Sequence, residues 1–337
     1  MGTRLPAGEL ARIPPLSGMV PAAQEIMVSS LLQFTPIYQT RVWGGRQLAT
    51  QLHRTLPDAQ PYGEAWDLVD RETEQSHVAH GPWAGTSLHD LWTHHRDEIF
   101  GTCYRSHPAT RFPLLIKVLD CADDLSIQVH PPATIAAELD GEPKNELWYV
   151  AHAQPDARMF AGLRQGVSRE TFATALAEGK VADCVHSIIP ATGDSLYVPS
   201  GRLHALGKGL LIYEIQQNSD TTYRVFDWNR LGLDGKPRQL HVEQSMKCID
   251  FTDAEPALDH KAATLADCEH FRVTRARTGA IAPQDRFRLI IPITPVQWGE
   301  NTLAPGDLAL LPASAAVAGN PDPVGEWLEI ELPTGLI

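Results

Sequence analysis

Leu125-Ser-Ile-Gln-Val-His-Pro-Pro132 alternates strictly between apolar and polar side chains. Side chains along a strand repeat every two residues, so Ser126, Gln128 and His130 share one face and Ile127 and Val129 the other. Polar residues placed this way can simply face solvent. Gln and His two apart on one face can also both reach a single metal ion. In Lys144-Asn-Glu-Leu-Trp-Tyr-Val150 the same period puts Lys144, Glu146 and Trp148 on one face, and a strand neighbouring 125–132 is expected to bring Glu146 alongside Gln128 and His130. A third segment is Gly193-Asp-Ser-Leu-Tyr-Val-Pro-Ser-Gly-Arg-Leu-His204, in which Gly193, Pro199 and Gly201 build tight turns that aim His204 inward.

Together Gln128, His130, Glu146 and His204 offer two imidazoles, a carboxylate and an amide oxygen. Such nitrogen and oxygen ligation suits Zn²⁺ and equally Mn²⁺, Fe²⁺ or Co²⁺. A structural zinc would prefer thiolates. With one anionic ligand the loaded site is left at about +1, able to polarise a substrate oxygen.

Most of the remaining pattern is strand and turn. Apolar runs at 114–119, 147–151, 210–215, 287–293 and 308–311 are bounded by Gly, Pro and Asp, with 26 Pro and 25 Gly to supply turns. Two segments have helical spacing: Leu88, Leu91, Trp92 and Ile99, stopped at Gly101, and a helix capped by Ser168 with Phe172 and Leu176 on one face and Gly179 as its stop. The chain therefore reads as mainly β with helical insertions. Residues 1–27, rich in Pro, Gly and Ala, read as a disordered extension without a secretory signal, and Met27 is a candidate start. Around Asp253 histidines and aromatics thin out, which divides the chain into a catalytic domain at 28–252 and a smaller β domain without metal ligands at 253–337.

Composition excludes some functions. The 337 residues carry 28 Lys and Arg against 41 Asp and Glu, a net charge of −13, which argues against a nucleic-acid surface. No apolar run approaches the ~20 residues that cross a bilayer, so no membrane partner is expected. Five scattered cysteines with no C-x-x-C pair read as reduced thiols of a cytoplasmic protein.

Gly193, Pro199, Gly201 and His204 resemble the second motif of the cupin superfamily, and Gln128-x-His130 with the later Glu146 resembles a modified first motif. Lys208 stands where that superfamily usually has Asn, and Glu146 lies farther from the His than in simple cupins. Those departures fit the type I mannose-6-phosphate isomerases, especially their shorter bacterial branch. The resemblance covers most of residues 34–250, including Trp43-Gly-Gly45, Gly63-Glu-Ala-Trp66, Pro113–Asp120 and, most specifically, the block from Tyr213 to Arg230.

This resemblance implies a cupin (jelly-roll) barrel with helical insertions plus a smaller, trimmed second cupin-like half. It implies a zinc-dependent aldose–ketose isomerase that interconverts mannose 6-phosphate and fructose 6-phosphate through a cis-enediol, acting on a small sugar phosphate as monomer or homodimer. Gln128, His130, Glu146 and His204 would be the metal ligands. Arg224 matches the family's catalytic arginine. Lys144 would contribute to catalysis or sugar binding, or stand as a solvated lysine in a turn. Glu214 or Asp220 would be the proton-transfer base, with Glu214 ahead because it lies in an apolar strand where burial raises a carboxyl pKa. Ser126 and Lys117 would contact substrate. Trp43, Trp66 and Trp148 would either wall the sugar site or sit in the core. Two His and one Glu also make the facial triad of a non-haem iron oxygenase, and a non-catalytic sugar-binding cupin would show the same barrel.

Overall fold

The computed structural model describes Met1 and residues 31–279, 285–299, 301–313 and 323–334. Apart from Met1, the extension expected over 1–27 lies outside the described residues. The strands run β1 (Leu32–Gln33), β2 (Ile37–Gly45), β3 (Tyr62–Leu68), β4 (Leu114–Cys121), β5 (Ile127–Val129) and β6 (Glu146–Ala153). They continue with β7 (Met159–Leu163), β8 (Val185–Ile188), β9 (Asp194–Val198), β10 (His204–Leu206), β11 (Leu210–Gln217) and β12 (Tyr223–Phe226). The C-terminal third adds β13 (Asp259–His260), β14 (Thr264–Asp267), β15 (Arg272–Arg277), β16 (Arg288–Pro292), β17 (Val296–Trp298), β18 (Asn301–Leu303), β19 (Ala309–Leu311) and β20 (Glu326–Glu331).

Three larger antiparallel sheets result. A seven-stranded sheet has the order β13-β9-β6-β11-β4-β3-β2 and faces a five-stranded sheet, β12-β5-β10-β7-β8. A six-stranded sheet, β1-β19-β16-β20-β15-β14, covers the other side of the seven-stranded one. The seven-stranded sheet is thus buried on both faces, which is why β4, β6 and β11 read as nearly continuous apolar runs rather than as alternating ones. Leu211, Tyr213 and Ile215 of β11 join the core shared with Val273, Leu289 and Leu328 of the six-stranded sheet. Ile212, one residue out of step, packs with Leu119, Trp148 and Leu206 between the other two sheets. Glu214 and Gln216 share the Ile212 side by the two-residue period, so β11 carries an acid into the inter-sheet space.

Two local expectations change. The helical stripe from Leu88 to Ile99 is two helices, Leu88–His94 and Arg96–Ile99, broken at His95. The Arg96 side chain explains the break: its Nε donates to the Trp92 carbonyl at 2.8 Å, taking the acceptor that the next helical amide would use. The Ser168 helix forms at Arg169–Ala177 with a reciprocal capping box between Ser168 and Thr171.

The second change concerns the site. Glu146 does not arrive on a strand beside β5. The neighbours of β5 are β10 and β12, while β6 belongs to the facing sheet, so Glu146 reaches Gln128 and His130 across the barrel interior. Spacing along one strand cannot distinguish a lateral neighbour from a facing one, because both present the same face to the same cavity.

Candidate active site

His204 opens β10 and is paired in register with Gln128 of β5, which sets the two side chains next to each other. The turn before it works as its sequence suggests. Gly201 takes φ +93°, a left-handed conformation that side-chain-bearing residues rarely adopt, and its amide donates to the His130 carbonyl at 2.9 Å. His130 and His204 are fully buried. Each directs its Nδ1 at a backbone carbonyl, His130 at Thr221 and His204 at Arg202, both at 2.8 Å. Those bonds fix the tautomer and leave both Nε2 atoms facing the interior.

Glu146, also fully buried, comes from the facing sheet. Its carboxylate lies 3.4 Å from His130 Nε2 and 3.5 Å from His204 Nε2. The ligand atoms of the three residues all lie within 4.8 Å of one another. His130 Nε2 and Glu146 Oε1 are buried without a hydrogen-bond partner among the described residues, a condition a bound cation relieves, while Lys144 takes the other Glu146 oxygen. Burial and the neighbouring imidazole push His204 down to about 3, and burial with the Lys144 charge lowers His130, so both rings are neutral, as metal ligands must be. Burial alone would raise Glu146, but the Lys144 charge holds it well below the usual carboxylate range. The donor set therefore fits a divalent metal. Gln128 lies beside it with its amide 3.3 Å from His204 Nε2, and half a turn of that amide presents Oε1 to the same point.

Above this cluster opens a cavity of about 370 Å³. Every remaining residue expected at the site lines it: Ser126 and Lys117, Lys144 and Glu214, Asp220 and Arg224. Lys144 is buried rather than solvated, with Nζ 2.8 Å from Glu146 and 3.6 Å from Glu214. Burial opposes its charge, yet the two carboxylates hold its pKa above the ordinary lysine value. Glu214 accepts a hydrogen bond from Trp148 Nε1 at 3.0 Å, and burial together with the Glu146 charge raises its pKa. Asp220 stands at the more exposed side, 3.8 Å from Lys117 Nζ. Trp43 and Trp148 line the cavity, whereas Trp66 is buried beneath Lys117, whose Nζ lies 4.6 Å from its ring centre.

Four polar lining residues were given no role in the sequence reading: Arg41, Glu64, Thr222 and Arg238. Glu64 had a signal, since it sits within the Gly63-Glu-Ala-Trp66 stretch. Arg41 and Arg238 had none, because each is brought in by a carboxylate remote in sequence.

A family model for the catalytic domain of type I phosphomannose isomerase matches residues 31–141. Mannose-6-phosphate isomerase ManA of Bacillus subtilis is 35% identical over 291 residues, covering 83% of this chain and 90% of the relative. The chain belongs to the type I phosphomannose isomerases. Within this family of aldose–ketose isomerases, a mannose-6-phosphate isomerase of Streptococcus mutans is 39% identical over 218 residues, 64% of this chain and 66% of the relative. The crystal structure of the Bacillus subtilis mannose 6-phosphate isomerase superposes with a TM-score of 0.79 at 30% identity, covering 90% of this chain and all of the other. Membership selects the isomerase among the three sequence readings and agrees with the cupin fold. Among the described residues of this phosphomannose isomerase, no helix is long and apolar enough to cross a membrane.

Proposed function

We propose that the enzyme interconverts mannose 6-phosphate and fructose 6-phosphate through a cis-enediol, with zinc held by His130, Glu146, His204 and Gln128. The observation that carries the metal assignment is the convergence of the buried His130, Glu146 and His204 from two facing sheets at the foot of the cavity. When bound, the metal supplies a positive centre that polarises the sugar oxygens.

Glu214 is the proton-transfer group: as a carboxylate it takes the proton from C2 of the open-chain aldose and returns it to C1 of the enediol. A carboxylate raised by burial is better matched to that task near neutral pH than one at its ordinary value. Lys144, held charged beside it, and Arg224 across the cavity donate hydrogen bonds to the oxygens on which negative charge develops. Arg224 is paired in register with Gln128, so its guanidinium rises from the strand adjoining the ligand cluster. Ser126 and Lys117 contact the sugar phosphate. Trp43 and Trp148 offer flat apolar walls to the sugar carbons and exclude water from the enediol. The five cysteines are free thiols, which supports a cytoplasmic setting.

The test is a coupled assay with mannose 6-phosphate, before and after chelation and with zinc restored, together with the metal content of wild type and His204→Ala. Wild type should turn over, lose activity with chelation and regain it with zinc. His204→Ala should retain little metal. No turnover by the metal-replete wild type refutes the reaction, and full activity in His204→Ala refutes the metal site.

A further inference from the structure

The cavity is graded in charge from one end to the other. Across the seven-stranded sheet its side chains come from successive strands: Trp148 on β6, the strand of Glu146, then Glu214 on β11, Lys117 on β4, Glu64 on β3 and Arg41 on β2. At a strand spacing of ~4.8 Å, β3 lies roughly 14 Å along the sheet from the ligand strand β6. The five-stranded sheet has the same direction, from His204 on β10 through Gln128 on β5 to Arg224 on the edge strand β12. Beyond β12 the chain loops out and returns, the His241 amide donating to the Arg224 carbonyl at 2.7 Å. This return sets Arg238, three residues earlier, at the cavity beside Arg224.

Arg41 and Arg238 thus stand at the end remote from the ligand cluster, with Arg224 on the strand beside Gln128, and the three guanidinium groups are held differently. Arg224 has no ion-pair partner among the described residues, and its Nε is buried without a hydrogen bond. Arg41 is gripped along one edge by Glu64, at 2.9 Å from Nε and 3.2 Å from Nη2. Arg238 is gripped in the same way by Asp227, at 2.7 Å from Nε. A carboxylate fork on the Nε–Nη2 edge fixes the plane of a guanidinium and leaves N–H groups over for a further acceptor, even in Arg41, whose Nη1 also donates to the Thr40 carbonyl at 3.1 Å. Both side chains keep some exposure, 29% for Arg41 and 21% for Arg238. Lys117, by contrast, is tied to both Glu64 and Asp220. Burial and the charges of Arg238 and Arg41 press Arg224 below its ordinary pKa, with Asp227 and Asp220 offsetting only part of the effect.

We propose that Arg41 and Arg238 form the arm that recognises the phosphate of the substrate, leaving Arg224 to the enediolate oxygens, and that Glu64 and Asp227 position it. The proposal rests on the sugar-phosphate reading above and assigns to Arg41 and Arg238 the discrimination between a phosphorylated sugar and its parent hexose. Planar forks aimed from two sides suit a tetrahedral dianion, and a neutral hydroxymethyl group at that end cannot use them.

The test measures two things on the metal-loaded full chain in wild type, R41Q, R238Q and R238K: binding of inorganic phosphate by calorimetry, and kcat/KM for mannose 6-phosphate against mannose. Each Gln variant should weaken phosphate binding roughly 10- to 100-fold, the range of one charge-assisted contact. It should lower kcat/KM for mannose 6-phosphate by a similar factor more than for mannose, mainly through KM. R238K, which keeps the charge without the fork, should recover part of the loss. If R41Q fails to fold, R238Q, on a surface loop, answers alone. Unchanged phosphate binding in R238Q, or equal losses on both sugars, overturns the proposal. So does a wild type that isomerises mannose 6-phosphate yet binds no phosphate, whereas a wild type without turnover refutes the reaction instead.

Discussion

Lys144→Met removes one cation from between two buried carboxylates while keeping most of the side-chain volume. Lys144 Nζ lies 2.8 Å from Glu146 and 3.6 Å from Glu214, and all three residues are buried. Removing one member of a buried ion pair costs about 3–5 kcal/mol, because the remaining charge has lost its compensation. In a chain of this size about 2 °C of Tm accompanies each kcal/mol, so the metal-free variant should melt roughly 6–10 °C below metal-free wild type. Zinc changes the comparison, since a dication among His130, His204 and Glu146 replaces the ammonium as counter-charge for Glu146. With saturating zinc the deficit should shrink to about half or less, while turnover stays low because the donor to the enediolate oxygens is gone. Four calorimetric melts, wild type and variant with and without zinc, decide the matter. A deficit below ~2 °C without metal, or the same deficit with and without it, would show that Lys144 does not balance these carboxylates.

Other outcomes follow from the same geometry. Trp148→Phe deletes the hydrogen bond that favours the charged form of Glu214, so the Glu214 pKa should rise further and the acid limb of kcat, where the base becomes protonated, should move to higher pH; a limb that stays in place would remove Glu214 from the base role. Burial would raise Glu64, but Lys117 and Arg41 hold it down to about 2. A depressed carboxylate contributes stability that is complete above its unfolded value near 4.3 and disappears as pH falls toward 2, on the order of 3 kcal/mol here. Denaturant melts of Glu64→Gln across that window should therefore depend less on pH than those of wild type, and parallel curves would contradict the assignment.

The ligand set was legible from local patterns because its residues lie on or beside short strands with a strict two-residue period, whereas Arg224, Glu214, Asp220 and Lys117 entered through the family resemblance. Ser126, Gln128 and His130 could be assigned a face from one octapeptide, and His204 from the turn before it. What spacing could not convey was which sheet each strand joins, so Glu146 was expected beside β5 and lies opposite it. Arg41 and Arg238 were invisible for a related reason: an arginine in a strand or loop reads as surface, and only the tertiary positions of Glu64 and Asp227 turn these two inward. The helix break at His95 depends on where the Arg96 side chain folds back, which apolar spacing does not encode.

The pairing of β1 with β19 has a consequence for biosynthesis. Leu32 is registered against Leu310, 278 positions away (310 − 32), so the earliest described strand, which meets residues 77–79 on one side, lacks its sheet partner on the other until those 278 residues have been made. At ~5–20 residues per second that wait is roughly 14–56 s. The barrel strands β2 to β12 can close meanwhile, but one face of the seven-stranded sheet and the apolar side of β1 stay uncovered until the last third emerges. A nascent chain stalled or truncated before β19 is therefore expected to present an adhesive surface even with its catalytic residues already assembled, and to depend on holding factors during that interval.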